Sequence, residues 1–323
     1  GARGPEGPEG PEGPQGPAGP EGGDLNPQDV AVGRWEKATT GATIDLSPAC
    51  DTLALGCQPI SMAFDGDHMW VAHEVGPTLQ KVSVADGAVL QTILMPFQAS
   101  RVVFDGQHLW ISNQSSGKVS KVRASDGAIL GDFVVGTNPR AMVFDGSHVW
   151  VVNKSDETVT KLLAADGTDL GTFPIGLSPW DITTDGEHVW TTASDGTVSK
   201  LAIADGSLVG TFPTGGGGII IGITFDGENI WTANFSTDDV SKIRASDGAV
   251  LGVFPVGDNP REIAFDGESI WVVNREDDTM TRLRASDGAN LGTFPVGDSP
   301  HDVKFDGTHI WVANWADDTV SKH

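Results

Sequence analysis

The chain has 323 residues, with 44 acidic against 20 basic side chains and a formal charge of −24 at pH 7. That balance repels phosphate backbones and anionic lipid surfaces, so neither nucleic acid nor a membrane is an expected partner. No stretch approaches about 18 consecutive apolar residues, which excludes a spanning helix, and a start at Gly1 with neither Met nor an apolar signal region reads as a processed or trimmed chain.

Residues 1–23 hold 9 of the 42 Gly and 6 of the 19 Pro, with Gly at 1, 4, 7, 10, 13, 16, 19 and 22. Pro follows Gly in every complete triplet but the first. Three polyproline-II chains wind together only where each third residue lacks a side chain, because nothing larger than Gly fits at the shared axis. A flexible linker needs no such period. The expectation is a collagen-like triple helix through residues 1–22, hence a homotrimer, followed by a linker over 24–40. Glu stands third in four of the seven triplets, and like charges on three parallel chains oppose assembly. Such a segment is expected to continue a longer stalk or to gain support from packing.

From residue 41 the chain repeats. FDGxHxW or a near variant places Trp at 70, 110, 150, 190, 231, 271 and 311, a spacing of 40 with one step of 41. Each unit reads as four short strands: an apolar run into the Phe (AMVF, EIAF), a run through the Trp (VWVVN, IWVAN), a TVSKLR run and a LGTFPV run. Asp-Gly pairs between them suit tight turns, since Gly takes positive φ without steric cost. Seven such units predict an all-β fold, a seven-bladed β-propeller of four-stranded blades over residues 41–323.

These units resemble the YVTN-type propeller repeats of secreted and surface-layer proteins, with WVAN, WVVN, WISN or WTAN in place of the Tyr-Val-Thr-Asn core. The resemblance covers about residues 41–323 and implies an extracellular or cell-surface scaffold; it carries no single reaction. The sequence departs from the pattern at the Tyr, which is Trp throughout, and at the Asn, which is His73 in the first unit and Ala193 in the fourth.

The last unit stops after TVSKH at His323, one strand short, so a strand near 42–48 is expected to close the ring. Two registers compete. In one, Thr52–Leu55 replaces TFPV, and extended backbone then holds Cys50 and Cys57 about 23 Å apart, beyond any disulfide. In the preferred one, Lys37–Pro48 matches Arg284–Pro295 and the two Cys fall in a loop insertion, where a Cys50–Cys57 bridge is feasible. That bridge fits export.

Little of the repeat reads as chemistry. His68, His108, His148, His188 and His309 sit once per blade and do not converge, so no metal site is expected, and a hydrogen bond to the adjacent turn accounts for them. The motif Trp and Phe read as inter-blade core. The acidic pairs Asp156-Glu157, Asp238-Asp239, Asp277-Asp278 and Asp317-Asp318 fit solvated turns better than weak calcium sites. The Gly run 215–218 has no following Lys-Ser/Thr and reads as a longer loop. No cofactor fingerprint is present.

The units disagree where the innermost strand opens. After the inter-blade Pro position come Ile60, Ser100, Arg140, Trp180, Ile221, Arg261 and His301, then Ser61, Arg101, Ala141, Asp181, Gly222, Glu262 and Asp302. These positions are expected to crowd one mouth of the central channel, a common ligand position in propellers. The candidate pocket sets Arg101, Arg140, Arg261 and His301 against Asp181, Glu262 and Asp302, with Trp180 as a wall.

Three functions follow. The first is a non-enzymatic extracellular structural protein, its propeller presented or polymerised through the homotrimer as a filament or surface layer. The second is an adhesin-like head that binds a small ligand or glycan at the channel mouth and gains avidity from trimerisation. The third, a propeller lyase, has an acid, a base and a His available but no nucleophile elbow or metal motif behind it.

Overall fold

The computed structural model describes residues 42–46 and 57–323. The G-x-y segment, the 24–40 linker and Cys50 lie outside the described residues. Among the described residues, seven antiparallel sheets of four strands each make seven blades. Blade 1 runs Pro59–Phe64, His68–His73, Thr78–Ser83 and Val89–Leu94 from axis to rim, and the next five repeat that order. The innermost strands, each ending at its Phe or, in blade 4, at Thr184, contact their neighbours round the ring and enclose a central channel.

Blade 7 takes its outer strand from the other end of the chain. Ala42–Asp45 pairs antiparallel with Thr319–Lys322, Ala42 opposite Lys322 and Asp45 opposite Thr319. The strand lies in the anticipated segment, but the match of Lys37–Pro48 to Arg284–Pro295 is three residues out. In blade 6 Thr279 faces Pro295 and Met280 faces Phe294, so Asp45 stands where Pro295 does and Ile44 where Phe294 does. The reason is packing. A large apolar side chain at that position lies over the next blade's Asp-Gly turn: a Cβ added to Gly87 would come within 2.7 Å of Ile44, just as one on Gly288 would meet Phe254 at 2.1 Å. Leu46 follows, fully buried, with its N–H donated to Asp318 O at 3.2 Å.

Blade packing explains the repeat's spelling. The second strand of each blade is covered on both faces by its neighbours, so residues such as Leu109–Asn113 are buried throughout rather than alternately. The outer strands alternate exposed and half-buried positions, and in blades 1 to 6 a register shift in the ladder to the third strand bends this unpaired edge. All seven motif Trp are at most 1% exposed. Each of five stacks obliquely on the Phe of its own outer strand, Trp110 on Phe133 at 5.3 Å for example. The Lys of the TVSKLR run crosses to the next blade: Lys121 Nζ donates to Ala164 O at 2.6 Å and Lys242 Nζ to Ala285 O at 2.7 Å. Lys322 repeats the contact to Val84 O across the closure.

The recurring Asp is the keystone of each turn. Asp145 Oδ1 accepts the N–H groups of Ser147 and His148 at 2.9 and 2.7 Å, and Oδ2 accepts the Trp150 indole N–H at 2.8 Å. His148 Nδ1 lies 3.0 Å from the same carboxylate, so the recurring His forms the local bond that its spacing suggests. Asn of the WVAN core is equally structural: Asn274 Nδ2 donates to Thr279 and Thr281 hydroxyls at 3.0 and 2.9 Å and its Oδ1 accepts Gly257 N–H at 3.2 Å. Asp145→Ala is expected to cost about 3 kcal/mol, because it strips the acceptor from a buried indole N–H and from two turn amides; a urea melt measures it.

Burial alone would raise Asp65, Asp105, Asp145, Asp185 and Asp306, yet the indole and backbone donors outweigh it and hold each below 3.8. Their contribution is present above the unfolded value of 3.8 and is lost as pH falls through the lower folded values. Those five turns are therefore expected to fail together, giving one steep acid transition below about pH 4.

Candidate functional site

The inner strands all run the same way, so equivalent positions form tiers across the channel. The two sets that the sequence groups at one mouth are divided by the structure. Arg140, Trp180, Arg261 and His301 stand at the entrance; Arg101, Asp181, Glu262 and Asp302 stand one residue deeper, inside the channel. A cavity of about 440 Å³ begins at that second tier, with Ser61, Asp181, Glu262 and Lys304 on its wall, and ends at Phe64, Phe104, Phe265 and Phe305. Four of the six motif Phe thus face the channel as well as packing between blades.

At the entrance Arg140 lies over the Trp180 ring, its guanidinium carbon 4.3 Å from the centroid, and Lys154 Nζ lies over the same ring at 3.2 Å. Trp180 Nε1 donates to Ser194 Oγ at 3.0 Å. Arg261 donates from Nη1 to His301 Nε2 at 2.8 Å, and the His301 ring stacks on Trp315 at 5.5 Å. Trp315 Nε1 in turn donates to Glu74 Oε2 at 2.8 Å, and Arg275 Nε to Ser299 Oγ at 2.9 Å. Four of the chain's twenty Lys and Arg are gathered here, Arg140, Lys154, Arg261 and Arg275, and the charge of Arg101 reaches Arg140 and Arg261 from the second tier.

Crowding shows in their protonation. Desolvation, then repulsion from Arg101 and Arg261, lowers Arg140 to about 9. Arg261 falls to about 10 through desolvation and the charges of Arg101 and Arg275, and Lys154 to about 8 through desolvation and Arg140. All three stay cationic at pH 7. His301, desolvated and ringed by arginines, is pushed down to about 2 and is neutral. Its Nε2 lone pair already accepts from Arg261, so this ring is not free to take a proton from a substrate.

Arg101 apart, the second tier has the opposite sign. Asp302 Oδ2 accepts Met62 N–H at 2.6 Å and Oδ1 faces Lys304 Nζ at 2.9 Å. Asp181 Oδ2 accepts Ile223 N–H at 3.1 Å and also bonds the Glu262 carboxyl. Burial and then the Asp181 charge push Glu262 well above the carboxylate range, so Glu262 carries the proton of that pair. Burial lowers and the three carboxyls more than restore Lys304, which sits above its ordinary value. Gly222 completes the tier in blade 5, where a Cβ would stand 2.4 Å from Arg261 O; the two backbones approach so closely that only Gly fits.

The entrance residues that sequence reasoning missed share one position, directly after the Asn of the WVAN core: Glu74, Gln114, Lys154, Ser194, Phe235, Arg275 and Trp315. The amides of Glu74, Lys154, Ser194, Arg275 and Trp315 reach across to the chain just before the inner strand, Lys154 N to Asn138 O at 3.1 Å and Trp315 N to Ser299 O at 3.1 Å for example. The same disagreement between units that exposes Arg140 and Arg261 marks this column too. Lys304 carries a comparable signal, standing where other units have Ala63, Val103, Val143 or Thr183.

No family model matches the sequence, and no curated protein matches it. Among solved structures, streptogramin B lyase is similar at 15% identity and a TM-score of 0.75, over 88% of this chain and 96% of that one. Hydrazine synthase from Kuenenia stuttgartiensis is similar at 17% identity and a TM-score of 0.72, over 83% of this chain and 96% of that one. At such identities the likeness is one of architecture, and what this chain shares with them is the seven-bladed β-propeller.

Proposed function

We propose that this chain is an extracellular recognition head, which binds a small ligand or glycan at the arginine-lined mouth and is gathered into trimers by residues 1–22. The observation behind it is the convergence of side chains that break the repeat, Arg140, Trp180, Arg261 and His301 with Lys154 and Trp315, on a framework otherwise uniform. A scaffold that needed only its shape would have no use for desolvated like charges at one end of its axis. Three weak sites on one stalk would bind a repetitive surface far more tightly than one. A Cys50–Cys57 bridge beside the closing strand belongs to this reading, because it suits an oxidising compartment; Cys57 is fully buried, its Sγ 3.2 Å from Leu46 O.

The second reading, a structural protein that polymerises into a filament or layer, is favoured by the strict Gly period alone. Both readings need the trimer. Gly10→Val is expected to convert a trimer to monomers in sedimentation while each propeller stays folded, since a side chain at the axis disrupts the triple helix. Unchanged sedimentation, or a wild-type monomer, refutes the trimer. The head is tested on a surface panel of neutral and acidic saccharides: the variant with Ala at Arg140, Trp180, Arg261 and His301 is expected to lose retention that the wild type shows, and retention unchanged by it refutes the mouth as the site.

A further inference from the structure

Resting on the recognition reading and deepening it, we infer that the group held at this mouth is an oxyanion, a carboxylate, sulfate or phosphate, gripped by Arg140, Arg261 and the Nδ1–H of His301. The chain has 44 acidic side chains, yet among the described residues no carboxylate forms a salt bridge with either guanidinium. Glu74 acts on both arginines, Asp181 also on Arg140 and Glu262 also on Arg261, but desolvation and the neighbouring guanidinium groups outweigh them, and the Glu74 carboxylate is already engaged by the Trp315 indole. Desolvated cations without a directly paired carboxylate repel one another, a cost that a bound anion removes.

Hydrogen bonding gives the same sign independently. Arg261 has only donors, so His301 Nε2 accepts, and the neutral ring must carry its proton on Nδ1. That Nδ1 is buried without a hydrogen-bond partner, and so is Arg140 Nε. Both orphans are donors. A ligand that satisfies them brings acceptor oxygens, and two planar guanidinium forks match the paired oxygens of a carboxylate, sulfate or phosphate. A cationic ligand would add to the repulsion, and a purely apolar one would leave both donors unpaired. Stacking on Trp315 holds His301 in place, and Trp180 holds Arg140, so the donors are set before the ligand arrives.

The full-length protein is titrated by calorimetry and thermal shift with sodium sulfate, sodium phosphate, D-glucuronate and a sulfated oligosaccharide, against D-glucose and against sodium chloride at matched ionic strength. At least one oxyanion is expected to raise the melting temperature where chloride does not. Arg140→Gln and Arg261→Gln are each expected to weaken that binding at least tenfold, while Arg123→Gln, at an exposed pair away from the mouth, leaves it unchanged. Relief of repulsion means that neither mouth variant melts below the wild type without ligand, which separates lost binding from lost folding. Inorganic sulfate or phosphate binding as tightly as the saccharides identifies a free ion as the source, and saccharides at least tenfold tighter identify a group borne on a glycan. No stabilisation beyond chloride, or full binding by the doubly substituted protein, overturns the inference. Retention of neutral saccharides alone on the panel overturns it too and leaves the recognition reading standing.

Discussion

A chain cut to begin at Ser47 is expected to lose about 4 kcal/mol of folding stability and to unfold about 10 °C lower than one that keeps residues 42–46. The cut removes Leu46, which is fully buried, and Ile44, which packs against the cluster holding Trp311 and Val320; burying a Leu side chain alone is worth about 1.5–3 kcal/mol. It also removes the ladder from Ala42 to Asp45, leaving Thr319–Lys322 as a bare edge. An exposed edge of that kind invites pairing with another chain. Adding a synthetic peptide of residues 38–48 in trans is expected to restore most of the loss, because the contacts are noncovalent. A truncated protein that melts with the parent, or a peptide without effect, would show that the ring is held by blade-to-blade packing alone.

The second large effect lies at the carboxyl tier. Lys304→Met leaves Asp302, Asp181 and Glu262 with Arg101 as the nearby cation, and breaking a buried pair costs about 3–5 kcal/mol. Asp302 is 3% exposed but Lys304 keeps 36% of its side-chain surface, and water in the cavity screens what remains, so about 2–3 kcal/mol is expected at pH 7. The loss should shrink on acidification as the raised carboxyls take protons. Glu262 supplies the companion measurement. Its folded pKa lies well above 4.5, so between those values the folded protein binds more protons than the unfolded one, and stability falls as pH rises through that window. Glu262→Gln removes this slope, so its stability relative to the wild type is expected to be higher at pH 7 than at pH 4. Equal urea midpoints for Lys304→Met and wild type at pH 7, or an unchanged slope in Glu262→Gln, would show that the tier is solvated rather than buried.

Residue by residue, the boundary between what was legible and what was not follows the range of the interaction. The Asp-Gly turns, the Trp spacing and the missing last strand are local or periodic, and each of the seven copies repeats the same evidence. Asp145 and Asn274 were legible as motif letters but not as keystones, because their partners stand several residues away in directions that only a formed hairpin defines. The closing strand was found and its register missed by three residues: matching letters to Arg284–Pro295 weighted the Gly, whereas the fold needs the bulk of Ile44 over Gly87 in the next blade.

By itself the sequence determined the blade number, the strand count per blade and the columns where copies differ, since a repeat of constant length reports its own deviations. Depth along the axis was decided by tertiary structure. Arg140 and Asp181 belong to adjacent columns of one alignment, yet one ends at an entrance among arginines and the other in a cavity beside Glu262 and Lys304. Alternation along a strand sends neighbours to different surroundings, and only closure of the ring brings strands from seven blades near enough for charge to act on charge. The pairing of Arg261 with His301 and of Trp315 with Glu74 spans 40 and 241 residues of chain, distances that no local pattern records.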